Sequence, residues 1–318
     1  MPTSNYTLSE ASTFLTLSAA SPPFLPPGAL SPSLFGEGWQ SAEGSSDGVR
    51  LKFLIMFIDT HTHLYLEDYD ADREEVIQRA REAGAVALLQ PNVDASSYAP
   101  MMALCDAHPD FCYPMIGLHP TELPATDVDA TLDEMERLLD ANPSRFVAVG
   151  EVGLDFYWDA SRAEEQLAAF QRQIQWALRY DLPIMIHSRS AHRQLVNTIL
   201  PYANDLRGVF HCFSGSREEA EELLRRFPRF ALGIGGVLTF KKCKLPDTLL
   251  QSVPLSRIVL ETDAPWLAPT PHRGTRNESA YIPYIIDKLA EIYQLTPEDI
   301  ATATTRNATS IFTLLPSR

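Results

Sequence analysis

From Phe53 onward, short apolar runs alternate with longer segments in which apolar residues recur every three to four positions among charges. The first pattern is that of buried strands and the second that of half-buried helices. An apolar run from Phe53 stops at Asp59, and further runs fall at 85–90, 113–117, 146–150, 183–187, 208–211, 230–234 and 257–261. Helical periodicity falls between them at 70–84, 100–108, 132–141, 164–180, 193–202 and 217–227. Gly84 supplies a stop signal for the first of these helices. After the last strand come a helix at 281–293 and one opened by Thr296, Pro297 and Asp299, a capping start. Strands alternating with helices at this rhythm imply parallel pairing through right-handed crossovers, and eight such units predict an α/β fold, a closed (β/α)8 TIM barrel. A doubly wound open sheet competes. Its commonest form needs Gly-x-Gly-x-x-Gly after the first strand, which is missing here.

Residues 1–52 break the rhythm: Ser, Pro, Gly and Thr dominate, with no sustained period. This segment reads as a disordered tail preceding a barrel at 53–318. Pro-Pro pairs interrupt any apolar core of a secretory signal, and no Lys or Arg precedes Arg50. Met56 directly precedes Phe-Ile-Asp-Thr-His and is a candidate translation start, which would make the tail a start-site artefact.

Composition narrows the function classes. With 45% hydrophobic and 21% charged residues over 318 positions, the chain can bury a sizeable core. A net charge of −15 argues against bulk attraction to nucleic acid or anionic membranes, so an anionic substrate would need local help from bound metal and a few arginines. The tail holds four acids against two bases, so the acidity belongs to the folded part. The four cysteines show no Cys-x2-Cys spacing and read as reduced thiols, which makes a cytoplasmic location the default. No apolar run is long enough for a membrane span.

The candidate chemistry collects at strand ends, where such barrels carry their sites. His61 and His63, two residues apart in an extended segment, can converge on one point. Glu151 follows the fourth strand, His187 closes the fifth, His211 closes the sixth and Asp263 follows the eighth. Six such groups exceed the needs of one tetrahedral ion, so two metals are expected, with Glu151 as the bridge. Hydroxide held between two cations attacks at neutral pH, which makes hydrolysis the implied reaction class.

Six segments carry a family resemblance: Asp59-Thr60-His61-Thr62-His63, Gly117-Leu118-His119-Pro120, Gly150-Glu151-Val152-Gly153-Leu154-Asp155, His187-Ser188-Arg189, Phe210-His211-Cys212-Phe213-Ser214-Gly215 and Leu260-Glu261-Thr262-Asp263-Ala264-Pro265. Together they resemble the motifs of the TatD family of metal-dependent deoxyribonucleases, from Met56 to about Leu315. The resemblance implies hydrolysis of DNA by divalent ions, often from the 3′ ends of single strands. It further implies that His61, His63, Glu151 and Asp263 hold one ion and that Glu151, His187 and His211 hold the other, with Asp263 orienting or deprotonating water. Mg, Mn and Zn all stay open as the metal. Related barrels acting as amidases, lactonases or deacylases are the alternative; they usually carry a modified lysine where Glu151 stands. Two positions depart from the family pattern: Ser279 in place of a proline after Arg273-Gly274-Thr275-Arg276-Asn277-Glu278, and Ser190 in place of an acid.

Further candidates are His119 and Arg273 for phosphate oxygens. Asp155 either orients a ligand histidine or caps a helix. Arg189, Lys241, Lys242 and Lys244 form a local basic rim or a solvated loop. Trp266, Tyr157 and Trp158 stack bases or pack the barrel mouth.

Overall fold

The computed structural model describes residues 55–313 and 315; the expected tail at 1–52 lies outside them. Eight strands run β1 (Phe57–Asp59), β2 (Ala85–Gln90), β3 (Cys112–Ile116), β4 (Ala148–Asp155), β5 (Ile184–Arg189), β6 (Gly208–Phe210), β7 (Phe230–Ile234) and β8 (Ile258–Leu260). They pair in sequential order, all parallel. The ring closes between β8 and β1, where the Thr60 N–H donates to Leu260 O at 2.9 Å and Thr62 bridges to Ala264 in parallel. This is the expected (β/α)8 barrel.

Nine helices accompany the strands: α1 (Arg73–Ala83), α2 (Ala95–Ala107), α3 (Val128–Ala141), α4 (Ala163–Arg179), α5 (His192–Ile199), α6 (Arg217–Arg226), α7 (Leu245–Ser252), α8 (Ile282–Tyr293) and α9 (Pro297–Ile311) among the described residues. None is long and apolar enough to cross a membrane. Gly84 ends α1 at φ 105°, where an added Cβ would stand 1.9 Å from Ile55 O, so only glycine fits. Thr296 and Asp299 form the expected capping box on α9.

Two expectations shift and one element is new. α2 begins five residues before Pro100, because Asp94 and Ser97 cap it reciprocally and hold the first turn despite the proline inside. α7 had no signal beyond Leu245, Thr248 and Leu249, its three buried positions. β4 extends to Asp155, well past the predicted end at 150, so Glu151 lies within the strand. Gly153, at φ 144°, faces His187 O, and a Cβ there would sit 2.0 Å from that oxygen. Gly150 and Gly153 let β4 and β5 approach at the site.

Alternation along the strands sorts the core into two layers. Outward residues such as Phe57, Leu88, Ile116, Ile184, Phe210 and Leu232 pack under the helices. Inward ones, including Ile58, Leu89, Met115, Met185, Val209 and Val259, fill the barrel together with Ala308, Ile311 and Phe312 from α9 and the segment after it. The lower part of the barrel is thus apolar, and the inward positions at the strand C-termini are left to polar groups.

Candidate metal centre

Asp59 ends β1 fully buried and accepts four hydrogen bonds: from the His61 N–H (3.2 Å), the Thr262 N–H (3.0 Å), Thr262 Oγ1 (2.7 Å) and Ser279 Oγ (2.6 Å). Burial pushes its pKa up to about 7, although the bonds from Ser279, Thr262 and His61 oppose that rise. Asp59 therefore joins β1, the end of β8 and the segment before α8 in one knot. Ser279 supplies a hydroxyl to it.

This knot sets the backbone from which His61 and His63 project, with their Nε2 atoms 3.0 Å apart. Glu151 lies between histidines from four other segments and divides its two oxygens among them. Oε2 is 3.1 Å from His61 Nε2 and 3.8 Å from His63 Nε2. Oε1 is 3.0 Å from His187 Nδ1, 3.4 Å from His119 Nε2 and 3.7 Å from His211 Nε2. Asp263, at φ 57° just past β8, places Oδ1 3.6 to 3.8 Å from Nε2 of His63, His211 and His61. All six expected ligand residues thus meet in one cluster. His119, expected at a phosphate, stands in the same cluster edge-on to His187 (ring centroids 4.5 Å apart), while the His211 ring stacks on His61 at 3.5 Å. Tight groupings among the described residues are His61, His63 and Glu151; His61, His211 and Asp263; His119, Glu151 and His187; and His211, Cys212 and Glu261. His211 therefore sits with His61 and Asp263 more closely than with His187, which differs from the grouping that the resemblance implies. Arg273, the other expected phosphate contact, is exposed with its guanidinium 3.9 Å over the Phe240 ring.

The outer nitrogens of His63 and His187 meet hydrogen-bond acceptors and that of His211 faces a carboxylate, and this fixes what the inner ones present. Tyr65 donates its hydroxyl to Pro91 O at 2.7 Å, so the same oxygen accepts from His63 Nδ1–H at 2.9 Å. Asp155 Oδ2 accepts from His187 Nε2–H at 3.0 Å. Asp155 Oδ1 accepts the Tyr157 and Trp158 backbone N–H groups at 2.9 and 3.0 Å, so this carboxylate both orients the histidine and ties down the loop. Glu261 Oε1 is 3.2 Å from His211 Nδ1 and accepts the Cys212 N–H at 2.5 Å. Glu261 and Tyr65 had no assigned role in the sequence; a buried acid closing an apolar strand was the available signal for the first.

Lone pairs on inner imidazole nitrogens therefore face the oxygens of Glu151 and Asp263. Acceptors this close need either protons or cations between them. Without a cation, protons serve. Burial pulls His211 down, but Glu261, Glu151 and Asp263 carry it up to about 10. Burial likewise lowers His187, and hydrogen bonds to Asp155 and Glu151 override it upward. Burial with His211 at its face drives His61 down to about 4, so the two stacked rings do not share the charge equally. Burial raises Glu151, yet His61, His119 and His211 hold it well below the usual carboxylate range. A divalent ion answers the same demand. Two donors about 2.1 Å from one ion stand about 3.0 to 3.4 Å apart, close to several spacings seen here. The buried His61 Nδ1, Thr62 Oγ1 and Glu261 Oε2 have no hydrogen-bond partner among the described residues, and the 3.2 Å approach of His211 Nδ1 to Glu261 Oε1 is an ion pair without hydrogen-bond geometry. The nitrogen and oxygen donor set fits divalent cations.

Residues 58–313 match the family model described as TatD related DNase. The chain is 38% identical over 260 residues to the uncharacterized metal-dependent hydrolase YabD of Bacillus subtilis, covering 81% of this chain and 99% of that one. It is 33% identical over 262 residues to the 3′-5′ ssDNA/RNA exonuclease TatD of Pectobacterium carotovorum, covering 80% and 99%. The crystal structure of YjjV, a TatD homologue from Escherichia coli, superposes with a TM-score of 0.75 at 32% identity, covering 81% of this chain and 98% of that one.

Proposed function

The chain belongs to the TatD-related family of metal-dependent hydrolases, and from that premise we propose that it hydrolyses DNA phosphodiester bonds, removing nucleotides from the 3′ ends of single strands. The observation that carries the reading is the divided carboxylate of Glu151, whose Oε2 serves His61 and His63 while Oε1 serves His187 and His119. A carboxylate shared in this way between two nitrogen groups suits a pair of divalent ions, Mg, Mn or Zn. The relatives that support DNA as substrate are those named as exonucleases of single-stranded DNA and RNA.

We assign His61, His63, Glu151, His187, His211 and Asp263 to hold the ions. When bound, the two ions would lower the pKa of water and offset charge on the attacking and leaving oxygens of an in-line displacement. Asp263 is the cluster carboxylate that reaches solvent, its side chain 17% exposed against 5% for Glu151. Burial raises its pKa, but His211, His63 and His61 hold it below the usual range, so it is ionised and stands where it can orient or deprotonate water. His119, kept neutral by burial against the pull of Glu151, contacts a non-bridging phosphate oxygen, and Arg273 approaches from the rim.

The test is hydrolysis of a 5′-labelled single-stranded oligonucleotide by metal-stripped protein with Mn or Mg restored, beside Glu151→Ala. Stepwise shortening that requires metal and vanishes in the variant is the expected result. Intact DNA with two ions bound per chain would refute the nuclease and turn attention to ester and amide substrates.

A further inference from the structure

Three large aromatic side chains stand exposed at the barrel mouth: Tyr157 at 58%, Trp158 at 69% and Trp266 at 51%. Each is anchored through its backbone to the cluster. The N–H groups of Tyr157 and Trp158 bind Asp155, which holds His187, and the Phe156 N–H donates to Arg189 O at 2.9 Å. Arg189 lies 3.8 Å over the Tyr157 ring and 5.4 Å from that of Trp158, forming a cationic corner with its aromatic neighbours. On the other side the Trp266 N–H donates to Asp263 O at 2.9 Å, Asn277 Nδ2 donates to Trp266 O at 2.7 Å, and the indole meets His63 edge-on at 5.3 Å. Trp266 follows β8, beside β1, whereas Trp158 follows β4, beside β5; in a ring ordered β1 to β8 these are opposite sides.

We infer that Trp158, with Tyr157 and Arg189, and Trp266 are two nucleobase platforms that straddle the site and take the bases on either side of the scissile phosphate. The inference rests on the phosphodiesterase reading and names its substrate class: a single strand bearing a base on both flanks. An aromatic face exposed on a pinned backbone has already lost much of the entropy that a stacking partner would otherwise cost. Bases locked in a duplex offer edges to the protein and keep their faces stacked on each other, so duplex substrate is disfavoured. Arg189, beside the first platform, brings local positive charge to a chain of net charge −15.

The experiment is a substrate and variant cycle on the full chain with metal bound. Oligonucleotides carry one abasic residue on the 5′ or the 3′ flank of the cleaved bond and are compared with the fully based strand. Wild type is expected to favour the based strand by about 5- to 150-fold at each flank, the effect of one base stack. Trp158→Ala abolishes that preference at one flank and Trp266→Ala at the other, mainly through KM, while Trp158→Phe and Trp266→Phe retain most of it. A structural role would lower based and abasic substrates alike and would overturn the inference. A second arm needs no turnover: oligothymidylate quenches tryptophan fluorescence of metal-stripped protein, and its abasic counterpart does not. Quenching without hydrolysis refutes the nuclease and leaves the platforms standing. Hydrolysis indifferent to abasic flanks does the reverse.

Discussion

Gly233→Ala tests whether Glu261 positions His211. Gly233 lies in β7, and a Cβ added there would stand 2.1 Å from Glu261 Oε2, 2.6 Å from Cδ and 2.9 Å from Oε1. Ordinary contact requires the carboxylate to retreat by about 1 Å or more. It has little room, being fully buried, with Oε1 at 2.5 Å from the Cys212 N–H and 3.2 Å from His211 Nδ1. Overpacking of this kind costs about 1 to 3 kcal/mol. Losing a hydrogen bond to a charged acceptor costs about 1.5 to 3 kcal/mol, and because the two events are coupled the total is about 2 to 4 kcal/mol. For a body of this size that is a fall of about 4 to 16 °C in melting temperature, read by calorimetry on metal-stripped protein. A freed His211 also lowers metal affinity by about 10- to 100-fold, read by competition with a chelator. Adding Glu261→Asp shortens the acid away from the new methyl group, so the double variant regains stability without regaining affinity. Wild-type melting and wild-type affinity in Gly233→Ala would refute the reasoning, because the carboxylate would then have somewhere else to go.

Three further outcomes follow from the same contacts. Asp155→Ala removes the acceptor of His187 Nε2–H and of two backbone N–H groups; metal affinity by calorimetric titration should fall about 10- to 100-fold. Tyr65→Phe leaves the buried His63 Nδ1–H without its acceptor, at about 1 to 3 kcal/mol in urea unfolding of the metal-free protein; an unchanged midpoint would mean that ring is held otherwise. His211, raised from 6.5 to about 10, binds its proton more tightly folded than unfolded. Its contribution is fully present below about pH 6.5 and is lost as pH rises through about 10. The melting temperature of metal-stripped protein should therefore fall over that interval, and fall less in Glu261→Gln, which lacks the leading carboxylate.

The barrel was legible because its strands are apolar on both faces and its helices on one, so the two periods alternate cleanly from β1 to β8. Legibility failed where a local rule lost to a contact made elsewhere. β4 was cut short at 150 because Glu151 and Gly153 interrupt its apolar run; yet Glu151 is in the strand to reach the histidines, and Gly153 is glycine because the His187 carbonyl fills the space of a side chain. Pro100 suggested the start of α2, but the Asp94 and Ser97 box began it a turn earlier. In each case the misleading residue answers to a capping bond or a neighbouring strand that its own segment does not reveal.

The site divides along the same line. Its inner residues were legible because barrel topology dictates where they stand: a histidine or acid at the end of an apolar strand points to the rim whatever its neighbours do. Apart from Asp155, their partners were not, because the contacts that place each lie far away in the sequence. Ser279 reaches Asp59 across 220 positions, Thr262 reaches it across 203, and Tyr65 finds Pro91 O across 26. Ser279 and Thr262 fix the backbone through Asp59, while Tyr65, Asp155 and Glu261 decide which imidazole nitrogen carries the proton, and so whether the inner nitrogen can accept a cation. Histidine spacing alone therefore marks where a metal could be held, while Tyr65, Asp155 and Glu261 make His63, His187 and His211 present lone pairs to it. That makes metal affinity, measured in Asp155→Ala and in Gly233→Ala, the quantity that separates a ligand set from a group of buried histidines. A cluster held together by protons alone would titrate without metal dependence, and neither substitution would then distinguish Zn from buffer.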